Sequence, residues 1–423
     1  MARKMICLAV ASTLLAPVAV TAQIPAPMAV KLAEAVRARD AQTLADQIAI
    51  SEIPAPPFAE TKRGEDFAAR LRAIGLNDVK TDATGNVIAV RRGVGKGPRL
   101  ILSAHLDTVF PAGTDVKVRK DGVRYKGPGL ADDARGLSAL LTIATVMEAA
   151  KVRTVGDIVF VGTVGEEGAG DLRGARALVA ADPMVDGFIS IDGTGTDRIT
   201  TGATGSRRWK LRFKGPGGHS FGNFGRPSAI HAMGRAIALM ADLDVPTSPK
   251  TTYNVGVISG GTSVNAIAEE AVLDLDMRSN DPAALKALEE KALAAADAGA
   301  FAEGTKRGGK IVVERTLTGD RPSGQTPTTS PIVTAMNAAY AALGEAMPTQ
   351  GFSSTDSNIA ISRGIPAVTL GGGGTGGNAH SLEEYYEPTR AWVGPQLALI
   401  AALGMVGVEG GPPPQLPVRS TRK

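Results

Sequence analysis

Two hydrophobic periods alternate along the first half of the chain. Short apolar runs read as buried strands: RLILSAHLDTV from Arg99, DIVFVGTV from Asp157 and FISID from Phe188. Between and before them, apolar residues recur every three to four positions in MAVKLAEAVRARD, TKRGEDFAARLRAIGL, DDARGLSALLTIATVMEAA and LRGARALVA, the spacing of amphipathic helices. VKTDATGNVIAVRRG reads as two short strands around a turn. The alternation resumes near the C-terminus with helices in PIVTAMNAAYAALG, SNIAISRG and AWVGPQLALIAALG, and a strand in IPAVTL. Strands alternating with helices need crossover connections, so the pattern predicts an α/β fold with a mixed, largely parallel sheet flanked by helices.

The middle of the chain breaks this rhythm. RRWKLRFKG is a strand, PSAIHAMGRAIALMADL a helix, TTYNVGVISG and EEAVLDLDMR strands, DPAALKALEEKALAAADAG a helix and KIVVERT a strand. That βαββαβ order is a ferredoxin-like unit. The predicted division is a catalytic domain over residues 23–203 and 316–408, with residues 204–315 inserted as a smaller domain. The Pro/Gly-rich, basic end, residues 409–423, reads as a disordered tail.

Composition changes the picture at the N-terminus. Arg3 and Lys4 precede the apolar stretch ICLAVASTLLAPVAV, and Val20-Thr21-Ala22 offers small residues for cleavage. Residues 1–22 therefore read as a secretory signal peptide, and the protein as exported, periplasmic or secreted. The run is short against the roughly 20 residues of a spanning helix, so no membrane association is expected after cleavage. Cys7 is the only cysteine and leaves with the signal, which excludes disulfides and thiolate metal sites from the rest. Without Arg3 and Lys4 the formal charge falls from +4 to +2, and no long basic stripe remains. Nucleic acid is not an expected partner.

The candidate chemistry lies where the strands of the larger domain end. RLILSAHLD delivers His105 and Asp107, DIVFVGTVGEE delivers Glu166 and Glu167, FISID delivers Asp192, and IPAVTL leads through GGGGTGG to His380. Asp132 and Asp133 stand at the start of a helix. Open α/β sheets bind ligands at the carboxyl ends of their strands. Two of the chain's four histidines belong to this set. Imidazole with carboxylates suits zinc, cobalt or manganese. The two-residue strand period puts His105 and Asp107 on one face, so that Asp107 can accept the second ring N–H of His105. Glu166 and Glu167 can share a site only if the chain has left the strand, a turn that Gly165 and Gly168 permit. One of the pair can then bind metal while the other takes a proton from water. Asp356 reads as a helix cap.

SAHLDTV, GPGLADDARG, TVGEEGAGDLRGAR, SIDGTG, GPGGHS, GGTSVNAIAEEAVLDLDMR and NAHSLEEYYEP occur in the order seen in the M20 metallopeptidases, which the chain resembles over roughly residues 40–405. The resemblance implies two zinc ions, with cobalt or manganese as substitutes. His105 and Asp192 would be terminal ligands of one, Glu167 and His380 of the other, with Asp132 bridging and Glu166 as catalytic base. It also implies a cis bond between Asp132 and Asp133. Asp107 is placed with the catalytic residues. His219, in GPGGHS, would donate to the tetrahedral intermediate, often across a homodimer formed through the inserted lid. Asn265 and Arg278 match substrate-binding positions, Arg278 being suited to grip a carboxylate. GGGGTGG would form a backbone wall beside the substrate. Aspartate at position 192 goes in this family with aminopeptidases and dipeptidases, and SIDGTGTDRI is similar to peptidase T. The stretch GPGGHSFGNFGRPSAIHA is closer to the carboxypeptidase and deacylase branch. The expected substrate is therefore a short peptide cleaved from its amino end, with an N-acyl amino acid as the alternative. A non-catalytic binding protein is disfavoured, since no ligand or base is missing.

Overall fold

A computed structural model describes residues 24–419; the signal peptide expected over residues 1–22 lies outside them. Helices α1 (Ala26–Ala38), α2 (Asp40–Ser51) and α3 (Thr61–Ile74) lead into strands β1 (Val79–Thr81), β2 (Val87–Arg91) and β3 (Arg99–His105). After β4 (Arg119–Asp121) and β5 (Arg124–Lys126) come α4 (Ala134–Ala149), β6 (Asp157–Thr163), α5 (Arg173–Ala181), β7 (Gly187–Ile191) and β8 (Arg198–Ala203). The inserted domain holds β9 (Gly205–Lys214), β10 (Gly218–His219), α6 (Ala229–Ala241), β11 (Thr251–Gly260), β12 (Ala266–Ile267), β13 (Glu270–Ser279), α7 (Pro282–Arg307) and β14 (Val312–Arg321). The chain then returns with β15 (Gly324–Gln325), α8 (Pro331–Leu343), β16 (Thr349–Ser353), α9 (Ser357–Ser362), β17 (Ala367–Leu370), β18 (Thr375–Gly377), β19 (Tyr385–Glu387) and α10 (Val393–Val406).

The main sheet has the order β1-β2-β6-β3-β7-β17-β8-β15, with β16 also paired to β8. Its centre, β6-β3-β7-β17, is parallel. Helices cover both faces there, which is why these strands are continuous apolar runs rather than alternating ones. α10, every residue of which is buried, packs against α1, α4 and α8. From β3 the chain passes through α4 to β6 on one side, then through α5 to β7 on the other. The carboxyl end of β3 is thus a topological switch point, where a crevice opens between diverging connections. His105 is the last residue of β3.

The smaller domain is an antiparallel sheet, β11-β13-β9-β14, with α6 and α7 on one face over Leu211, Phe213, Leu273, Leu275 and Met277. α7 starts at Asp281, whose side chain accepts from the N–H of Ala284, with Pro282 in its first turn; it stops at Gly308, φ 65°. The βαββαβ order is as predicted, apart from the short pair β10-β12. One boundary moves: β14 continues to Arg321, past the expected end at residue 315. The tail is also corrected. As far as Arg419 it lies against the main domain: Leu416 is buried above Gly187, and the N–H of Arg419 donates to Asp186 Oδ1 at 2.7 Å. A Pro/Gly-rich sequence forbids a helix there but not the seating of one leucine. Among the described residues no helix is long and apolar enough to cross a membrane.

Candidate metal centre

The adjacent glutamates owe their position to a turn and a buried acceptor. Gly165 leaves β6 with φ 65°, a left-handed conformation that favours glycine, and a Cβ there would have to displace the Arg173 side chain. The chain then offers the N–H groups of Glu166 and Glu167 to the two oxygens of the buried Asp107 carboxylate, at 3.0 and 2.8 Å. This differs from the role read from His-x-Asp. β3 stops at His105, and the ring Nδ1 of His105 lies 3.0 Å from the main-chain carbonyl of Asp107 but 3.6 Å from its carboxylate. The carboxylate is committed to the glutamate turn. The carbonyl still holds the second ring nitrogen, leaving Nε2 to face the site.

Asp132 reaches the same place from the loop before α4. The Asp132–Asp133 peptide bond is cis, as the resemblance implied. Asp133 caps α4 through the N–H of Gly136 at 2.9 Å and accepts the N–H of His105 at 3.0 Å, tying the loop to the end of β3. On the other side, buried Glu384 accepts three backbone N–H groups of this loop, from Gly129 (3.0 Å), Ala131 (2.7 Å) and Asp132 (3.1 Å).

The two oxygens of Asp132 face different histidines. Oδ1 lies 2.9 Å from His105 Nε2, and Oδ2 lies 3.2 Å from His380 Nε2. His380 Nε2 is also 2.8 Å from Glu167 Oε1, and His105 Nε2 is 4.0 Å from Asp192 Oδ1. Donor atoms of His105, Asp132 and Asp192 all lie within 4.8 Å of one another, and so do those of Asp132, Glu167 and His380. The five side chains expected as ligands come together as two groups sharing Asp132. A third group, His105 with Glu166 and Glu167, meets the same limit.

The protonation pattern fits a cation-binding donor set. Burial pushes Asp192 well above the carboxylate range, and Asp132, Glu166 and Glu167 add like-charge repulsion. Burial lifts Glu166 to about 8, against the pull of Arg321. Hydrogen bonds to Asp132 and Glu167 hold His380 up at about 10. At His105 burial favours the neutral ring, but the nearby carboxylates of Asp107 and Asp132 outweigh it and raise the pKa well above normal. The same contacts overcome burial at Asp132 and hold it well below its usual value. Carboxylates crowded this closely favour positive charge among them, whether a cation or a protonated imidazole.

A cavity of about 400 Å³ opens over these groups. Besides Asp132, Glu166, Glu167, Asp192 and His380 it is lined by Arg208, Arg278 and Arg321, all from the smaller domain. Arg278 thus stands where a substrate-binding residue was expected, with Nε on Asp276 Oδ2 at 2.8 Å. His219 and Asn265 do not line the cavity. Both are exposed: His219 ends β10 opposite Ala266 of β12, and Asn265 just precedes β12, its carbonyl accepting the N–H of Ser220. His219 Nδ1 accepts from the N–H groups of Phe221 and Gly222, both at 3.2 Å, so its proton sits on Nε2. The glycine stretch borders the catalytic domain from within: Gly371 packs on the backbone of Thr194 and Gly195. Asp356 does not cap α9; its buried carboxylate accepts the hydroxyl of Thr163 at 2.5 Å. Arg321 and Glu384 went unread in the sequence. Arg321 fell beyond the predicted strand, whereas the position of Glu384, four residues after His380, was a usable signal.

Residues 101–403 match the family model described as peptidase family M20/M25/M40. An uncharacterized Bacillus subtilis protein, YqjE, is 28% identical over 320 residues, covering 73% of this chain and 82% of the relative. Succinyl-diaminopimelate desuccinylase of Leptothrix cholodnii is 29% identical over 261 residues, covering 55% of this chain and 67% of the relative. Among solved structures, a Staphylococcus aureus tripeptidase superposes with a TM-score of 0.72 at 25% identity, over 86% of this chain and 97% of its own.

Proposed function

The chain belongs to peptidase family M20/M25/M40, and from that premise we propose that it removes residues from the amino end of short peptides, as an aminopeptidase or dipeptidase using two divalent cations. The observation that carries the reading is the position of Asp132, one oxygen toward His105 and the other toward His380. His105 and Asp192 would hold one ion, His380 and Glu167 the other, with Asp132 between. Zinc is the proposed metal; cobalt and manganese suit the same donors. Bound there, the pair would supply Lewis acidity, making water a stronger acid and polarising the scissile carbonyl.

The chain's own residues do the rest. Glu166 takes the proton of the attacking water and delivers it to the leaving nitrogen. Asp107 fixes the turn that presents Glu166 and Glu167. Arg278 receives the substrate carboxylate. His219 and Asn265, which do not line the cavity of their own chain, would serve that of a second copy. Phe221, Phe224, Val257, Ile258 and Val264, all exposed on the smaller domain, support a homodimer through that surface. Export, to the periplasm or beyond the cell, remains our reading of residues 1–22.

Removal of an N-acyl group is the second reading, supported by the desuccinylase relative. Asp192 and the tripeptidase likeness favour peptides. Assay of metal-loaded protein on free dipeptides and tripeptides beside N-acyl amino acids tests this. Cleavage of free peptides is expected. Cleavage confined to blocked amino termini would reverse the choice.

A further inference from the structure

We propose that Arg321 is a positioning residue that sorts the two adjacent glutamates, keeping Glu166 out of the metal coordination so that it remains free to act as base. This rests on the reading of Glu166 as base. Proximity alone does not separate the pair, since Glu166, Glu167 and His105 offer donor atoms within 4.8 Å of one another. Their other partners do. Glu167 Oε1 faces His380 at 2.8 Å. Glu166 Oε1 instead accepts from Arg321 Nη1 at 3.2 Å, while Arg321 Nη2 donates to the main-chain carbonyl of Glu166. Nη1 also lies 3.1 Å from Ser354 Oγ. A planar guanidinium that grips side chain and backbone of one residue fixes that residue's rotamer. Arg321 is itself 5% exposed, so water competes little for these bonds.

A local irregularity aims this arginine. β14 pairs with β9 in steady register from Val312↔Lys214 to Leu317↔Trp209, then shifts so that Gly319 faces Arg208 and Arg321 faces Ser206. Thr318 is the extra residue of a bulge. On the β9–β13 side, Arg278 also faces Ser206, and Asp276 faces Arg208. Directly opposed residues share a face of the sheet. Arg278, Arg208 and Arg321 therefore share the face opposite Leu211, Phe213 and Met277, which lie under the helices. Without the bulge Arg321 would fall one place along and turn to the helix side. On the same face, Arg208 Nη1 donates to the carbonyl of Gly168 at 2.9 Å. The smaller domain thus clamps the turn at Glu166 and at Gly168.

Arg321→Gln and Arg321→Lys, with Glu166→Gln as control, test this. The readouts are kcat and KM on the best peptide, metal affinity by competition with a chelator, and the visible absorption of the Co²⁺-loaded protein. For Arg321→Gln we expect kcat to fall about 100-fold with KM little changed, the order of a lost general base. Metal should be held as tightly or more tightly, and the Co²⁺ bands should weaken as Glu166 joins the coordination. Arg321→Lys should recover part of kcat and the parent spectrum. Metal lost together with activity, or an unchanged kcat and spectrum in Arg321→Gln while Glu166→Gln is inactive, would overturn the role. A fully active Glu166→Gln would instead remove the base assignment itself.

Discussion

Glu384 does not line the cavity, yet it supports the loop of Asp132, the residue common to both candidate metal groups. Its carboxylate accepts three backbone N–H groups of the loop that presents Asp132, and its own carbonyl accepts the N–H of Gly127. His380 lies four residues earlier on the same loop. One side chain therefore ties the loop of Asp132 to the loop that carries His380. Glu384→Ala leaves buried donors without an acceptor, at about 1 to 3 kcal/mol for each group not reached by water. We expect metal affinity to weaken about 10- to 100-fold, the usual effect of losing a residue that orients ligands. Chelator competition on the purified variant measures it. Unchanged affinity would show that the loop holds its shape without this carboxylate.

At the scale of elements, legibility followed burial. β3, β6, β7 and β17 are covered on both faces, so their apolar runs stand out, and the polar residues at or beyond their carboxyl ends were the candidate ligands. α2 went unread for the opposite reason: much of its buried face is polar. Thr43 meets Thr142 hydroxyl to hydroxyl at 2.6 Å, Gln47 donates to the carbonyl of Leu130 and Ser51 to that of Pro128. The last two support the loop before Asp132 and the first holds α4, yet none carries a hydrophobic period. β14 was cut short because its outer residues are exposed and a bulge breaks its alternation. Arg321 was lost with it. The short strands β4, β5, β18 and β19 form their own four-stranded sheet, β18-β19-β5-β4, from segments far apart in the chain, a pairing no local pattern records. His219 and Asn265 were singled out through the family resemblance alone, and neither lines the cavity of its own chain.

For the whole molecule, the centre trades stability for charge. Burial raises Glu166 to about 8, Glu384 to about 7 and Asp356 to about 6. A carboxyl raised on folding favours the folded state while protonated, and that contribution is lost as pH climbs from its unfolded value to its folded one. His380, raised to about 10 by Asp132 and Glu167, contributes stability that is complete below 6.5 and lost as pH rises through 10. All four act in one direction. Asp107 and Asp132, held low by their histidine contacts despite burial, act only in acid, below about pH 4. Metal-free protein should therefore melt at a lower temperature at pH 9 than at pH 5, and divalent cations should raise Tm more at the higher pH. A flat or rising Tm of the metal-free protein would contradict this balance of charges. The central claim, two cations sharing Asp132, is tested most directly by anomalous diffraction at the zinc edge on crystals of zinc-loaded protein. Two peaks are predicted, one beside His105 and Asp192 and one beside His380 and Glu167, with Asp132 between them. A single peak, or peaks away from Asp132, would contradict it.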